Sequence, residues 1–108
     1  MSGSVDLLIE GGTVLDGTGS PGFRAAVAVV GDRLRIIRGD CGSVRAARRI
    51  DATGHVIAPG FIDLHSHSGL TILAEPHHEP KVRQGVTTEV IGVDGNGYAP
   101  FRSREELL

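Results

Sequence analysis

A single cysteine, Cys41, rules out an intrachain disulfide and any thiolate cluster for a metal. It lies in the turn-like stretch RGDCGSV and reads as an ordinary loop thiol. Tryptophan is absent, and three Phe and one Tyr are too few for a base-stacking surface. Eleven Lys and Arg stand against 13 Asp and Glu, a net charge of −2, so nothing draws the chain to nucleic acid or to an anionic membrane. The longest purely apolar run, AAVAVV at 25–30, is far too short to span a bilayer. The opening MSGSVDLLIEGG has neither a basic n-region nor the apolar stretch of a signal peptide, so a cytoplasmic location is expected.

What is plentiful is glycine, with sixteen residues in 108, more than twice the usual share and a sign of many tight turns. At 40% hydrophobic and 22% charged, the remainder is ordinary for a globular protein. The first half reads as short strands with turns between them. VDLLIE is β-like, and Gly11-Gly12 before TVLDG is a hairpin signal. GTGSPGFR at 17–24 reads as a loop. AAVAVV and LRIIR flank GDR as a second hairpin, and Ile50 and Val56-Ile57 suggest two more strands around ATG. Five or six strands in so short a span favour a sandwich or an open sheet.

After Gly60 the pattern changes. FIDLHSH at 61–67 reads as a buried strand, and VTTEVIGV at 86–93 as the next. Between them LTILAEP and EPKVRQG each suggest a short helix, the second capped by Gly85. DGNGYAP is a glycine-rich loop, and Ser103 and Glu106 have capping-box spacing for a further helix. Strand, helix, strand, helix is the pattern of a parallel sheet with crossovers.

Two of the five histidines, His65 and His67, fall where the first of these strands stops. Side chains two apart on a strand share a face, so Asp63, His65 and His67 are expected on one side and Leu64 and Ser66 on the other. Alternate Cα atoms lie about 6.6 Å apart, and zinc-bound nitrogens about 2.0–2.1 Å from the metal, so two imidazoles leaning together reach one ion. An H-x-H pair alone is also common as a strand cap facing solvent. The apolar run leading to His65, and the second strand's end at Asp94, a carboxylate able to serve as a ligand, favour the metal.

APGFIDLHSHS, preceded by DLLIEGGTVLDGTG and IDATGHV, resembles the opening of the amidohydrolase superfamily of metal-dependent hydrolases. LAEPHHEPKVRQGVTTEVIGVDGNGYAP is similar, more particularly, to the N-acyl-D-amino-acid deacylase (D-aminoacylase) branch. The resemblance implies a mixed α/β chain in two parts. Residues 1–58 would be the N-terminal half of a small β-sandwich, and 59–108 the first two strand–helix units of a (β/α)8 barrel. It implies zinc, one or two divalent ions in the whole enzyme, with His65 and His67 as the first-strand ligands. Asp94 stands where the branch carries a cysteine ligand, a hard oxygen in place of a soft thiolate that should loosen zinc and admit other divalent ions. Gly69 stands where relatives often carry aspartate.

The implied reaction is hydrolysis of the amide of an N-acyl-D-amino acid, a small-molecule substrate, by metal-activated water. The superfamily's general base is an aspartate near the end of the barrel, and no residue here matches it, so no catalytic residue is assigned. A barrel needs about 250 residues, so the chain is expected to be an N-terminal piece, inactive alone and prone to self-association through open strand edges. Ring opening of cyclic amides, as in hydantoinases, is the alternative chemistry. A non-catalytic β-rich assembly module is the alternative of a different kind. His77 and His78 read as a surface turn between prolines, His55 as exposed near a hairpin, and Arg45, Arg48 and Arg49 as a solvated edge strand. Lys81 and Arg83 read as structural residues on an outer helix.

Overall fold

A computed structural model describes residues 4–97 and Ser103. The chain divides into two compact units, Met1–Pro59 and Gly60–Leu108. It is mostly β-strand with little helix.

Seven strands build the described part of the first unit: β1 Val5–Glu10, β2 Thr13–Val14, β3 Phe23–Arg24, β4 Ala26–Val30, β5 Arg33–Ile37, β6 Ala46–Asp51 and β7 Val56–Ile57. They form a four-stranded sheet, β5-β4-β1-β6, and a three-stranded sheet, β3-β2-β7. The β4–β5 hairpin is the one read from AAVAVV and LRIIR, with Val30 opposite Arg33 across a two-residue turn.

The expected hairpin at Gly11-Gly12 does not form. β1 belongs to the larger sheet and β2 to the smaller, and β6 and β7 make the same crossing beside them, parallel to β1 and β2. Two backbone bonds hold the crossings together: Ala52 N–H donates to Glu10 O (2.7 Å) and Thr13 N–H to His55 O (3.0 Å). Gly11 is required there because its φ is +81° and a Cβ would lie 2.6 Å from Thr53 Oγ1. His55 is exposed as expected, but in this crossing and not beside a hairpin. Phe23 and Arg24, read as loop, pair with β2 as β3.

Pleating sorts the two faces of the larger sheet, with Val5 at the start of β1 out of step with Leu8. Leu8 is fully buried with Val5, Ala26 and Ala28, and Ile37, Cys41, Val44 and Ala46 pack around them. The opposite face carries Val27, Leu34 and Ile36, which with Val14, Leu15 and Ile57 line a small cavity between the two sheets of this unit. β6 is an edge strand, as the arginines suggest, and Arg49 pairs with Glu10 at 2.7 Å.

In the second unit, β8 Phe61–Asp63 and β9 Val86–Glu89 pair in parallel, joined through the helix α1 Glu79–Val82. Both strands are shorter than their apolar runs. β8 stops because Asp63 Oδ1 accepts the backbone N–H of His65 (3.1 Å), a local turn that competes with the ladder. Nor is β8 buried: Phe61 and Ile62 are 66% and 61% exposed, with β9 its one partner among the described residues. LTILAEP forms single helical turns, Ile72 N–H to Ser68 O and Glu75 N–H to Thr71 O, and no helix grows before Pro76. α1 is the helix read from EPKVRQG, and Gly85 follows it at φ +81°. A 3-10 turn spans Val93–Gly95. The helix expected to start in SREELL lies, apart from Ser103, outside the described residues, as does the end of the DGNGYAP loop. No helix among the described residues is long and apolar enough to cross a membrane.

Candidate metal centre

Beyond the last residues of β8 and β9 the two chains still run side by side. Val90 N–H donates to Asp63 O (2.8 Å) and Ser66 N–H to Val90 O (3.2 Å). This brings the loop 64–68 alongside the loop 90–96. The imidazoles of His65 and His67 stack, with centroids 5.4 Å apart and planes 12° from parallel. Their Nε2 atoms are 3.3 Å apart, and Asp94 Oδ2 lies 2.9 Å from the first and 3.2 Å from the second. Asp94 reaches this point from a left-handed backbone conformation, φ 53° and ψ 28°, a strained geometry of the kind that gathers at functional sites. The Asn96 side chain meets His67 Nδ1 at 3.1 Å. All of these side chains are open to solvent.

The donor set fits zinc. Four donors about 2.0–2.1 Å from a tetrahedral zinc lie about 3.3 Å from one another. The three donor atoms here are separated by 2.9, 3.2 and 3.3 Å. Two imidazole nitrogens and one carboxylate oxygen would leave a fourth position open, the arrangement of a catalytic rather than a structural site.

Four residues depart from expectation. Asp63 does not share the histidines' face: its Oδ1 holds the His65 backbone and its Oδ2 pairs with Lys81. Leu64 and Ser66 do not share a face in effect either, since Leu64 is exposed and Ser66 buried. His78 is no surface residue. Its backbone is also left-handed (φ 46°), its ring is mostly buried, and Nε2 lies 2.9 Å from Glu89 Oε2. His77 beside it is exposed, as expected.

Glu89 is the residue sequence reasoning passed over. Its Oε1 accepts from Ser66 Oγ (3.0 Å) and Lys81 Nζ (3.0 Å). Its Oε2 accepts from Ser68 Oγ (2.5 Å) and His78 Nε2 (2.9 Å). Four donors fill the acceptor sites of one carboxylate. A glutamate inside the β-branched run VTTEVIGV was the available clue, since a charge there needs partners. The Ser68 hydroxyl most of all, with Lys81, Ser66 and His78, holds the Glu89 carboxyl down at about 2, against the opposing effect of burial.

This shift sets a pH dependence. Because the folded-state value lies below the ordinary 4.5, the stability from Glu89 is fully present above that value and is lost as pH falls from there toward about 2. Denaturant midpoints measured between neutral and acid pH should therefore fall through this window. In Glu89→Gln the fall should be shallower and the neutral-pH midpoint lower.

Gly69 is buried beside this loop, and a Cβ there would lie 3.2 Å from Ile91 Cδ1. An aspartate at this position would need Ile91 to give by a few tenths of an ångström.

No family model matches the chain. Individual proteins do. An N-acyl-D-glutamate deacylase of Alcaligenes xylosoxydans xylosoxydans is 46% identical over 100 residues, 93% of this chain and 20% of the relative. The crystal structure of an N-acyl-D-glutamate deacylase from Bordetella bronchiseptica, complexed with zinc and a phosphonate mimic of the tetrahedral intermediate, matches with a TM-score of 0.78 at 41% identity, over 83% of this chain and 19% of that one. A D-aminoacylase with a binuclear metal centre matches with a TM-score of 0.82 at 45% identity, over 92% of this chain and 21% of that one. The chain spans about a fifth of the length of the curated relatives it matches. Over that stretch it is a homologue of the D-aminoacylases, a subset of the amidohydrolases, and its β-rich architecture matches theirs.

Proposed function

We propose that these residues form part of a zinc-dependent amidohydrolase that cleaves the amide of N-acyl-D-amino acids, and that His65, His67 and Asp94 are their contribution to the metal centre. The observation that carries this reading is the convergence of three donor atoms at tetrahedral spacing. In this reading β8 and β9 are the first two strands of a (β/α)8 barrel, and residues 1–58 are part of a β-sandwich. Their parallel pairing through a helix supports the barrel, as does a metal site just past the strands' C-terminal ends, where such barrels carry their chemistry.

A bound zinc supplies hydroxide near neutral pH and polarises the substrate carbonyl. The chain's own residues bind and orient. His65 and His67 would bind through Nε2, which puts the remaining ring proton on Nδ1. In the structure the Asn96 amide nitrogen faces His67 Nδ1 (3.1 Å). With Nδ1 protonated the amide would turn over and present its carbonyl oxygen instead, fixing the ring as outer partners of metal-bound histidines do. Asp94 adds a hard, negatively charged oxygen, which should widen the range of metals accepted. The reaction also needs a carboxylate to carry the proton from water to the leaving amine. Glu89 cannot serve, because its acceptor sites are filled, and Asp63 is committed to Lys81 and the His65 backbone. That task falls to a group other than these.

A graft tests the reading. The matched fifth of a D-aminoacylase is replaced by this chain, and hydrolysis of N-acetyl-D-amino acids is followed with zinc present. The folded graft should turn over substrate, and His65→Ala in the graft should stop it, while the 108 residues alone show no turnover. A folded, zinc-loaded graft without activity would contradict the proposal.

A further inference from the structure

β8 ends at Asp63, so strand pleating does not set the spacing of His65 and His67. Something else must hold two exposed imidazoles at metal-binding distance on a loop. Side chains alternate along that loop, with the histidines outward and Ser66 and Ser68 inward, Ser66 being 3% exposed. The inward hydroxyls, 2.9 Å apart, engage the two oxygens of one carboxylate, Ser66 Oγ to Glu89 Oε1 (3.0 Å) and Ser68 Oγ to Glu89 Oε2 (2.5 Å). Ser66 Oγ also accepts the Ser68 N–H (3.3 Å), closing the turn whose middle residue is His67. Lys81 and His78 hold the carboxylate from behind, at 3.0 and 2.9 Å. The backbone on both sides of His67 is thus tied to a side chain that two further donors, Lys81 and His78, hold in place.

We infer that Glu89 is a positioning residue, which by gripping Ser66 and Ser68 sets the separation of the two imidazoles and so the metal affinity of the site. This rests on the metal-binding reading of His65 and His67. A carboxylate is suited to the task because both oxygens accept. A glutamine of the same shape would turn an N–H2 toward donors that need an acceptor. A carboxylate that served only to stabilise the fold would alter unfolding and leave the coordination of the folded protein alone.

The chain is titrated with cobalt(II), reading its visible absorption, and zinc affinity is measured by competition with a chromophoric chelator. Ser68→Ala and Glu89→Gln should each weaken zinc by roughly 10–100-fold, the usual effect of losing an outer partner, and change the cobalt spectrum. Ser68→Thr, which keeps the hydroxyl, should behave as the unsubstituted chain. Ile37→Val, which thins the core of the first unit, should lower stability and leave affinity and spectrum unchanged. If Glu89→Gln does not fold, Ser68→Ala decides alone. Wild-type affinity and spectrum in Ser68→Ala would overturn the inference while His65→Ala still abolishes binding. If His65→Ala binds zinc as tightly as the parent chain, the metal-site reading falls and takes this inference with it.

Discussion

Replacing His65 by alanine should reduce zinc affinity by more than the roughly 10–100-fold that loss of an outer partner costs, because it removes a donor outright. Only His67 and Asp94 would remain of the three donors that converge here. A two-donor site on an exposed loop has little left with which to displace water from the ion. His67→Ala should do the same, and the two effects should fall well short of additive, since either change alone disables the site. Chelator competition reads both. Asp94→Cys gives the opposite result in kind: a soft thiolate in place of the oxygen should tighten zinc relative to manganese and magnesium. Equal zinc binding in His65→Ala, His67→Ala and the parent would mean that the stacked rings are a surface feature.

The largest loss of stability should come from Leu8→Ala. Leu8 is completely buried at the middle of β1, opposite Ala28 on β4 and Arg49 on β6. Its buried neighbours include two alanines, Ala26 and Ala28, which are too short to close over a lost isobutyl group. Poor collapse places the cost toward the upper part of the roughly 2–5 kcal/mol range for leucine-to-alanine changes in cores. Whole domains are stable by only about 5–15 kcal/mol, so the first unit should lose most of its margin. Urea unfolding followed by circular dichroism should show the midpoint falling steeply. A shift of a few tenths of a kcal/mol would mean that β1 is not the centre of this core.

The hairpin between β4 and β5 was legible because AAVAVV and LRIIR enclose a turn too short for anything else. The crossing at Gly11-Gly12 was not. A glycine pair marks a reversal and a sheet change alike, and only the distant pairing of β1 with β6 decides between them. His65 and His67 come together as period-2 reasoning expects, yet on a loop, because Asp63 turns its side chain back onto the chain and ends the strand. Asp94 joins them from a left-handed turn and not from a strand end, since β9 stops at Glu89. The Glu89 cluster was hidden because its members come from separate segments, Ser66 and Ser68, His78 and Lys81. In the sequence His78 is indistinguishable from His77 beside it. Its left-handed backbone turns it inward while His77 stays exposed.

Zinc K-edge X-ray absorption of the loaded protein tests the central claim most directly. Two histidines and an aspartate predict a first shell of nitrogen and oxygen at about 2.0–2.2 Å, with outer-shell scattering from two imidazoles that drops to one in His65→Ala. A sulfur shell near 2.3 Å, from the Cys41 thiolate, or a shell without imidazole scattering, would contradict it.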